Sequence, residues 1–221
     1  MVNWAQIKTV LLDMDGTLLD LHFDSHFWLV HLPRRYAEIH GMEPVSARED
    51  IMRLIGAEKG TLNWYCLDHW SQRLDVDIRK LKEEVRERIA FRPHVPAFLK
   101  QLRAQGRRLV IVTNAHHGSL SLKLESVDLE PLVDRIYSTH SFGKPKEDPS
   151  FWADLQKIEP FGLSDTLLID DSLPVLDSAR RFGLEHLLAV LAPDSKESPR
   201  TAPGFPGVQH FDEVWPGEAL R

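Results

Sequence analysis

Four short segments of this sequence hold residue types that can do chemistry together. Asp13-Met14-Asp15-Gly16-Thr17 follows one apolar run and Thr113-Asn114 a second, Lys144-Pro145-Lys146 lies beyond a third, and Asp170-Asp171 ends a fourth. Four carboxylates gathered at one place repel one another unless a cation sits among them. A hard divalent ion such as Mg2+ favours an octahedral oxygen shell built from one or two carboxylates, waters and phosphate oxygens. It both bridges a phosphate and offsets developing charge. Two carboxylates at i and i+2 point to opposite faces of a continuing strand, but Gly16 can break the strand and turn both toward one cleft. The first can then attack phosphorus while the second protonates the leaving oxygen. A strand-end turn capped by Asp side chains, or Ser172 and its neighbours capping the next helix, explains each segment singly and leaves their shared position unexplained.

That shared position depends on the elements that carry the segments. Five apolar runs read as buried strands: Thr9 to Leu12, Leu109 to Val112, Arg135 to Ser138, Thr166 to Ile169 and His186 to Leu191. Before and between the last four lie stretches of helical period, Val95 to Gln105, Leu120 to Val127, Pro149 to Ile158 and Pro174 to Phe182, three of them punctuated by Pro at the start or Gly after the end. This alternation predicts an α/β fold, a doubly wound parallel sheet, in which ligands sit beyond the carboxyl ends of the strands. The gap between the first two runs, roughly 100 residues, far exceeds the dozen or so that a crossover needs. Its apolar spacing is helical throughout, from Phe27 to Ile89, with breaks at Gly41 to Pro44, Gly56 to Gly60 and Asp75 to Asp77. A four-helix insertion is expected, which gives a core of residues 1–20 and 91–221 and a helical cap of residues 21–90. The tail after Ala192, rich in Pro and Gly, is expected to wrap the surface, anchored by Phe211 and Trp215.

With the elements in place, Asp13-Met14-Asp15-Gly16-Thr17-Leu18 resembles the first motif of the haloacid dehalogenase-like hydrolases. Thr113, Lys146 and Asp170-Asp171 fall in order where the other three motifs belong. The resemblance covers essentially the whole chain and implies a Rossmann-like core with a cap over the cleft. It implies that Asp13 is the nucleophile and a metal ligand, and that Asp15 is the general acid and then base, ligating Mg2+ through its backbone carbonyl. By the same resemblance Thr113 and the Asn114 backbone N–H hold phosphate oxygens, Lys146 neutralises the charge on phosphate and nucleophile, Asp171 binds the metal directly and Asp170 binds it through water. Lys144 competes with Lys146 for the lysine role; Lys146-Glu147-Asp148-Pro149-Ser150-Phe151-Trp152 fits the family spacing better. Asp15 separates phosphatases from dehalogenases, which lack the second aspartate.

Within the insertion, Thr61 to Trp70, together with Asp20, Ser138 to Phe142 and the Lys146-Glu147-Asp148 run, is similar to the bacterial GMP/IMP nucleotidases. The implied reaction is Mg2+-dependent hydrolysis of a phosphate monoester through an aspartyl-phosphate, with a purine 5′-mononucleotide as substrate. Sugar phosphates or phosphoglycolate are the alternative, and a phosphomutase or haloacid dehalogenase stands further off. Asn63 or Asp68 is placed to read a purine edge, whereas Trp64, Tyr65 and Trp70 read first as packing.

The resemblance implies a small phosphate ester as partner, and the composition argues against a nucleic-acid polymer. Lys and Arg total 27 against 33 Asp and Glu, a net charge of −6, without the basic footprint of a protein that binds nucleic-acid polymers. Cys66 is the only cysteine, so no intrachain disulfide is possible. The N-terminus lacks a signal-peptide pattern and no apolar run approaches the roughly 20 residues of a membrane span; a cytoplasmic protein without membrane contact is expected. His22, His26 and His31 have near-helical spacing but no zinc-motif order. The run from Arg79 to Arg88 reads as a solvated helix face with i, i+4 pairs.

Overall fold

The computed structural model describes residues 2–216. Strands β1 (Thr9–Leu12), β2 (Arg108–Thr113), β3 (Arg135–Ser138), β4 (Thr166–Asp170), β5 (His186–Val190) and β6 (Gly207–Val208) form one parallel sheet in the order β3-β2-β1-β4-β5-β6. β1 is central, with Leu11 in register with Val110 on one side and Leu168 on the other. Successive side chains on a strand point to opposite faces, so each apolar run feeds two cores. Val10, Leu12, Leu109, Ile111, Leu167 and Ile169 enter one, and Leu11, Val110, Val112 and Leu168 the other.

Between β1 and β2 the chain forms α1 (His22–His26), a π turn at Phe27–His31, α2 (Leu32–His40), α3 (Pro44–Glu58), α4 (Leu62–Tyr65), α5 (Leu67–Leu74) and α6 (Ile78–Glu83), then a 3₁₀ turn at Arg86–Arg88. The residues thus follow four helical arms, as the apolar spacing predicts, but two arms are irregular. The first passes through the π turn, and the third breaks at Cys66, whose φ of −84° and ψ of 111° are extended. Gly41 closes α2 at φ +62°, Pro44 opens α3, and the Asp77 carboxylate caps α6 by accepting from Lys80 N–H at 3.0 Å.

After the insertion come α7 (Val95–Ala104), α8 (His117–Leu124), α9 (Pro149–Ile158) and α10 (Leu173–Phe182). Phe98, Leu99 and Leu102 of α7 and Leu122 of α8 pack into the first core, while Phe151, Trp152 and Leu155 of α9 and Val175, Leu176 and Ala179 of α10 pack into the second. Helices therefore cover both faces of the sheet. The first core runs on into the insertion through Phe23, Phe27, Trp70, Ile78 and Leu81. α8 starts three residues earlier than the sequence predicts, because the His116 ring caps it by accepting from Gly118 N–H at 3.3 Å. In the tail, Phe211 is fully buried and stacks on Phe98 at 4.6 Å, but Trp215 stays 40% exposed, so Phe211 alone of the two expected residues anchors the segment. Among the described residues no helix is long and apolar enough to cross a membrane.

Candidate active site

The Asp13 N–H still donates to the Ile169 carbonyl at 3.0 Å, so this residue extends the β1–β4 ladder by one step. The chain then closes on itself: Leu18 and Leu19 N–H both donate to the Met14 carbonyl, and Gly16 N–H donates to the Leu19 carbonyl at 2.8 Å. Gly16 sits at φ +89°, where a Cβ would lie 2.8 Å from the Asp171 carboxylate. Its missing side chain lets the loop after β1 press against the loop after β4.

The ends of β1 and β4 bring Asp13, Asp170 and Asp171 together, with one carboxylate oxygen of each within 4.8 Å of the others. Lys146 Nζ donates to Asp13 Oδ1 and to Asp170 Oδ2, each at 2.6 Å. Burial, then the neighbouring Asp170 and Asp15, push the Asp13 carboxyl up to about 7 against the pull of Lys146. Burial and Asp171 raise Asp170 to about 6, and burial and Asp13 raise Asp171 to about 7. Burial alone would lower Lys146, but its two carboxylate partners outweigh it and hold it above the usual lysine range. One lysine does not balance three acids, and Asp13 Oδ2 is buried with no hydrogen-bond partner. An all-oxygen donor set with an orphaned carboxylate oxygen fits a hard cation such as Mg2+. Arg200, from the tail, donates to Asp171 Oδ2 at 2.7 Å.

Thr113, at the end of β2, is buried, and its Oγ1 accepts from Ala115 N–H at 3.0 Å. Asn114 braces the lysine segment. Its Oδ1 accepts from Lys146 N–H at 2.9 Å and its Nδ2 donates to Glu147 at 2.9 Å, while Ser178 Oγ donates to the Lys146 carbonyl at 2.7 Å. Lys144 points elsewhere and pairs with Asp154 at 2.6 Å. The sheet edge thus gathers Asp13, Asp15, Thr113, Asn114, Lys146, Asp170 and Asp171 at the carboxyl ends of three adjacent strands.

Asp15 has partners that the motifs do not disclose. Lys123 Nζ, from α8, donates to Asp15 Oδ1 at 2.6 Å and to Asp24 Oδ2 at 2.7 Å, and Lys82 Nζ donates to Asp24 Oδ1 at 2.5 Å. Burial raises Asp15 above the ordinary carboxylate range, whereas the two lysines overcome burial at Asp24 and hold it well below. The reading of Arg79 to Arg88 as a solvated face needs correction here: Arg79 and Glu83 pair at 3.5 Å on the surface, but Lys82 is buried against Asp24. A buried ammonium persists because a carboxylate meets it and the rings of Phe23 and Phe27 lie 4.7 and 4.8 Å from it. The available signal for Lys123 was a lone charge between Leu122 and Leu124 on an apolar helix.

The insertion touches the site through α4 and α5. Tyr65 OH donates to Glu147 Oε1 at 2.7 Å, which links it to Asn114 through one carboxylate, and burial pushes the Tyr65 phenol above its usual range. Trp70 is fully buried and donates to the Trp64 carbonyl at 3.0 Å. Asp68 is mostly exposed, 3.5 Å from His116 Nε2. His22 and His31 pair with Asp194 at 3.5 Å and Glu84 at 2.9 Å.

Residues 10–189 match the family described as haloacid dehalogenase-like hydrolase. The chain is 38% identical over 215 residues to the GMP/IMP nucleotidase YrfG of Escherichia coli K12, covering 97% of each protein. Among solved structures it resembles a HAD phosphatase from Thermococcus onnurineus (TM-score 0.79, 19% identity, 94% of this chain and 96% of that one). It also resembles the Bacillus subtilis HAD-hydrolase YfnB bound to magnesium (TM-score 0.67, 20% identity, 95% and 97%). These last two likenesses speak for the fold.

Proposed function

Because the chain belongs to the haloacid dehalogenase-like hydrolase family, we propose that it is a Mg2+-dependent phosphatase that hydrolyses purine nucleoside 5′-monophosphates, GMP and IMP first, in the cytoplasm. The observation that carries the phosphatase reading is the cluster of Asp13, Asp170 and Asp171 around an orphaned Asp13 oxygen, with Lys146 across two of them and Asp15 in the adjoining turn. The nucleotide reading rests on the 38% identity to a GMP/IMP nucleotidase over nearly the full length of both proteins. In this reading residues 21–90 form a cap over a core of residues 1–20 and 91–221.

Asp13, Asp170 and Asp171, with the Asp15 backbone carbonyl, would hold Mg2+, which polarises phosphoryl oxygens and supplies counter-charge when bound. Thr113 Oγ1 and the Asn114 N–H hold the phosphate, and Lys146 keeps Asp13 aligned while offsetting charge on the transferring group. A carboxylate oxygen of Asp13 bonds to phosphorus as the ester P–O bond breaks. Asp15 gives its proton to the departing oxygen, a role that suits a carboxyl raised by burial. Ionised Asp15 then takes a proton from water as that water attacks phosphorus, and inorganic phosphate leaves with Asp13 restored.

The test is phosphate release with Mg2+ across nucleoside monophosphates, sugar phosphates and phosphoglycolate. Activity should concentrate on GMP and IMP, vanish in Asp13→Asn and under chelation, and fall by about 10²–10⁴-fold in Asp15→Asn. Activity confined to other esters would remove the nucleotide reading and keep the phosphatase; unchanged release by Asp13→Asn would overturn the mechanism through Asp13.

A further inference from the structure

A second cluster of metal-binding side chains lies apart from the carboxylates. Cys66 is the extended residue that separates α4 from α5 in the insertion, His116 caps α8, and His140 follows β3. One ligand atom of each, the thiol sulfur and a ring nitrogen from either histidine, lies within 4.8 Å of the others. The rings of His116 and His140 meet edge to face at 4.9 Å. Bonds of about 2.0–2.3 Å to a tetrahedral zinc put ligand atoms roughly 3.5 Å apart, so side-chain shifts of about an ångström would complete the site.

We propose that Cys66, His116 and His140 bind a borderline-soft divalent cation of the Zn2+ class, in a second site that fastens the helical insertion to the sheet edge. His140 Nε2 is buried with no hydrogen-bond partner, while the same ring is hydrogen-bonded to the Asn114 backbone. A ring fixed through one nitrogen, with the lone pair of the other left over, is the usual arrangement of a metal-binding histidine. His116 differs in that both its nitrogens are engaged, Nδ1 accepting the long 3.3 Å bond from Gly118 N–H and Nε2 lying 3.5 Å from Asp68 Oδ2, so an ion would take one of these lone pairs in exchange for its present contact. The Cys66 sulfur accepts only a long 3.4 Å contact from His69 N–H, and on binding would release its proton to solvent.

Sulfur and imidazole donors select against Mg2+ and for Zn2+ or its neighbours, so the two sites would sort two classes of ion. The consequence is mechanical. Cys66 belongs to the insertion and both histidines to the sheet-end elements, and an ion shared among them holds the insertion against the mouth of the carboxylate cleft. Zn2+ would therefore slow turnover by opposing cap opening, without displacing Mg2+.

Full-length protein in excess Mg2+, titrated with Co2+ as the spectroscopic probe, tests the proposal. A near-ultraviolet thiolate-to-cobalt charge-transfer band should appear, persist in Asp171→Asn, and vanish in Cys66→Ser. In His140→Gln the affinity should weaken at least about tenfold, the effect that even an outer partner of a metal ligand carries. Circular dichroism of both variants should match the wild type, and added Zn2+ should reverse the band in the wild type. Absence of the band in the wild type, or its survival in Cys66→Ser, would overturn the proposal; either result leaves the phosphatase reading untouched.

Discussion

Asp15 owes its state to residues outside its own motif. Lys123 reaches it from α8, Asp24 competes for the same ammonium, and Lys82 shares Asp24, so two buried ammoniums and two partly buried carboxylates alternate in sign. Desolvated charges of this kind are costly unless each keeps its partners, and deleting one member leaves an uncompensated ion. Lys123→Met should therefore destabilise the protein by about 3–5 kcal/mol in urea unfolding. Lys144→Met, which removes a solvent-screened pair at the surface, should change stability far less. Equal effects of the two would show that the buried chain of charges is not what holds α8 to α1. Asp13, Thr113, Asp170 and Asp171 are legible because each ends or directly follows an apolar run, whereas Lys146 lies eight residues beyond one. Asp24, Lys82 and Lys123 are not legible, since their pairing spans 58 and 99 positions and leaves no local pattern. Glu147 belongs to a run that the sequence singles out, but its bridging role leaves no local pattern, because its partners Tyr65 and Asn114 come from different parts of the chain.

The elements most legible in the sequence are those with a single physical signature. α9 begins at Pro149 and ends at Ile158 as its periodicity predicts, and α10 stops at Gly183, where φ reaches +112°. Irregular pieces escaped, each for a physical reason. The π turn at Phe27–His31 keeps helical apolar spacing, and the break at Cys66 has neither Pro nor Gly to mark it. β6 is two residues long and includes a glycine, so it carries no alternation, yet it extends the sheet beyond β5. The tail is held by one ring rather than the two expected. Phe211→Ala should cost about 3–5 kcal/mol, as for a fully buried aromatic, while Trp215→Ala should stay within about 0.5 kcal/mol. Thermal unfolding of the two variants checks this directly, and a large effect at Trp215 would refute it.

For the molecule as a whole, the carboxylate cluster makes stability a function of pH and, with the proposed Mg2+ site, of metal. Burial and the neighbouring carboxylates push Asp13 and Asp171 up to about 7 in the folded protein, well above the ordinary carboxylate range. They hold protons more tightly folded than unfolded, so their ionisation opposes folding, and stability should fall as pH rises from about 4 to 7. On the proposed reading Mg2+ would bind the ionised carboxylates and restore what is lost. The increase in Tm on adding Mg2+ should accordingly be larger at pH 8 than at pH 5.5; an equal increase at both would show that the cluster does not hold the ion.

The central position of β1 also has a kinetic side. The chain makes this strand first, but its two neighbours begin at Arg108 and Thr166, and both must arrive before β1 is enclosed. Closing such distant contacts is entropically slow, and folds dominated by them fold slowly. The helices of the insertion form from local contacts and shorten the effective loop between β1 and β2. Until β4 docks, Val10, Leu11 and Leu12 remain a sticky apolar edge open to other chains. The stretch that leads into Asp13 therefore stays open to contact with other chains until late in synthesis.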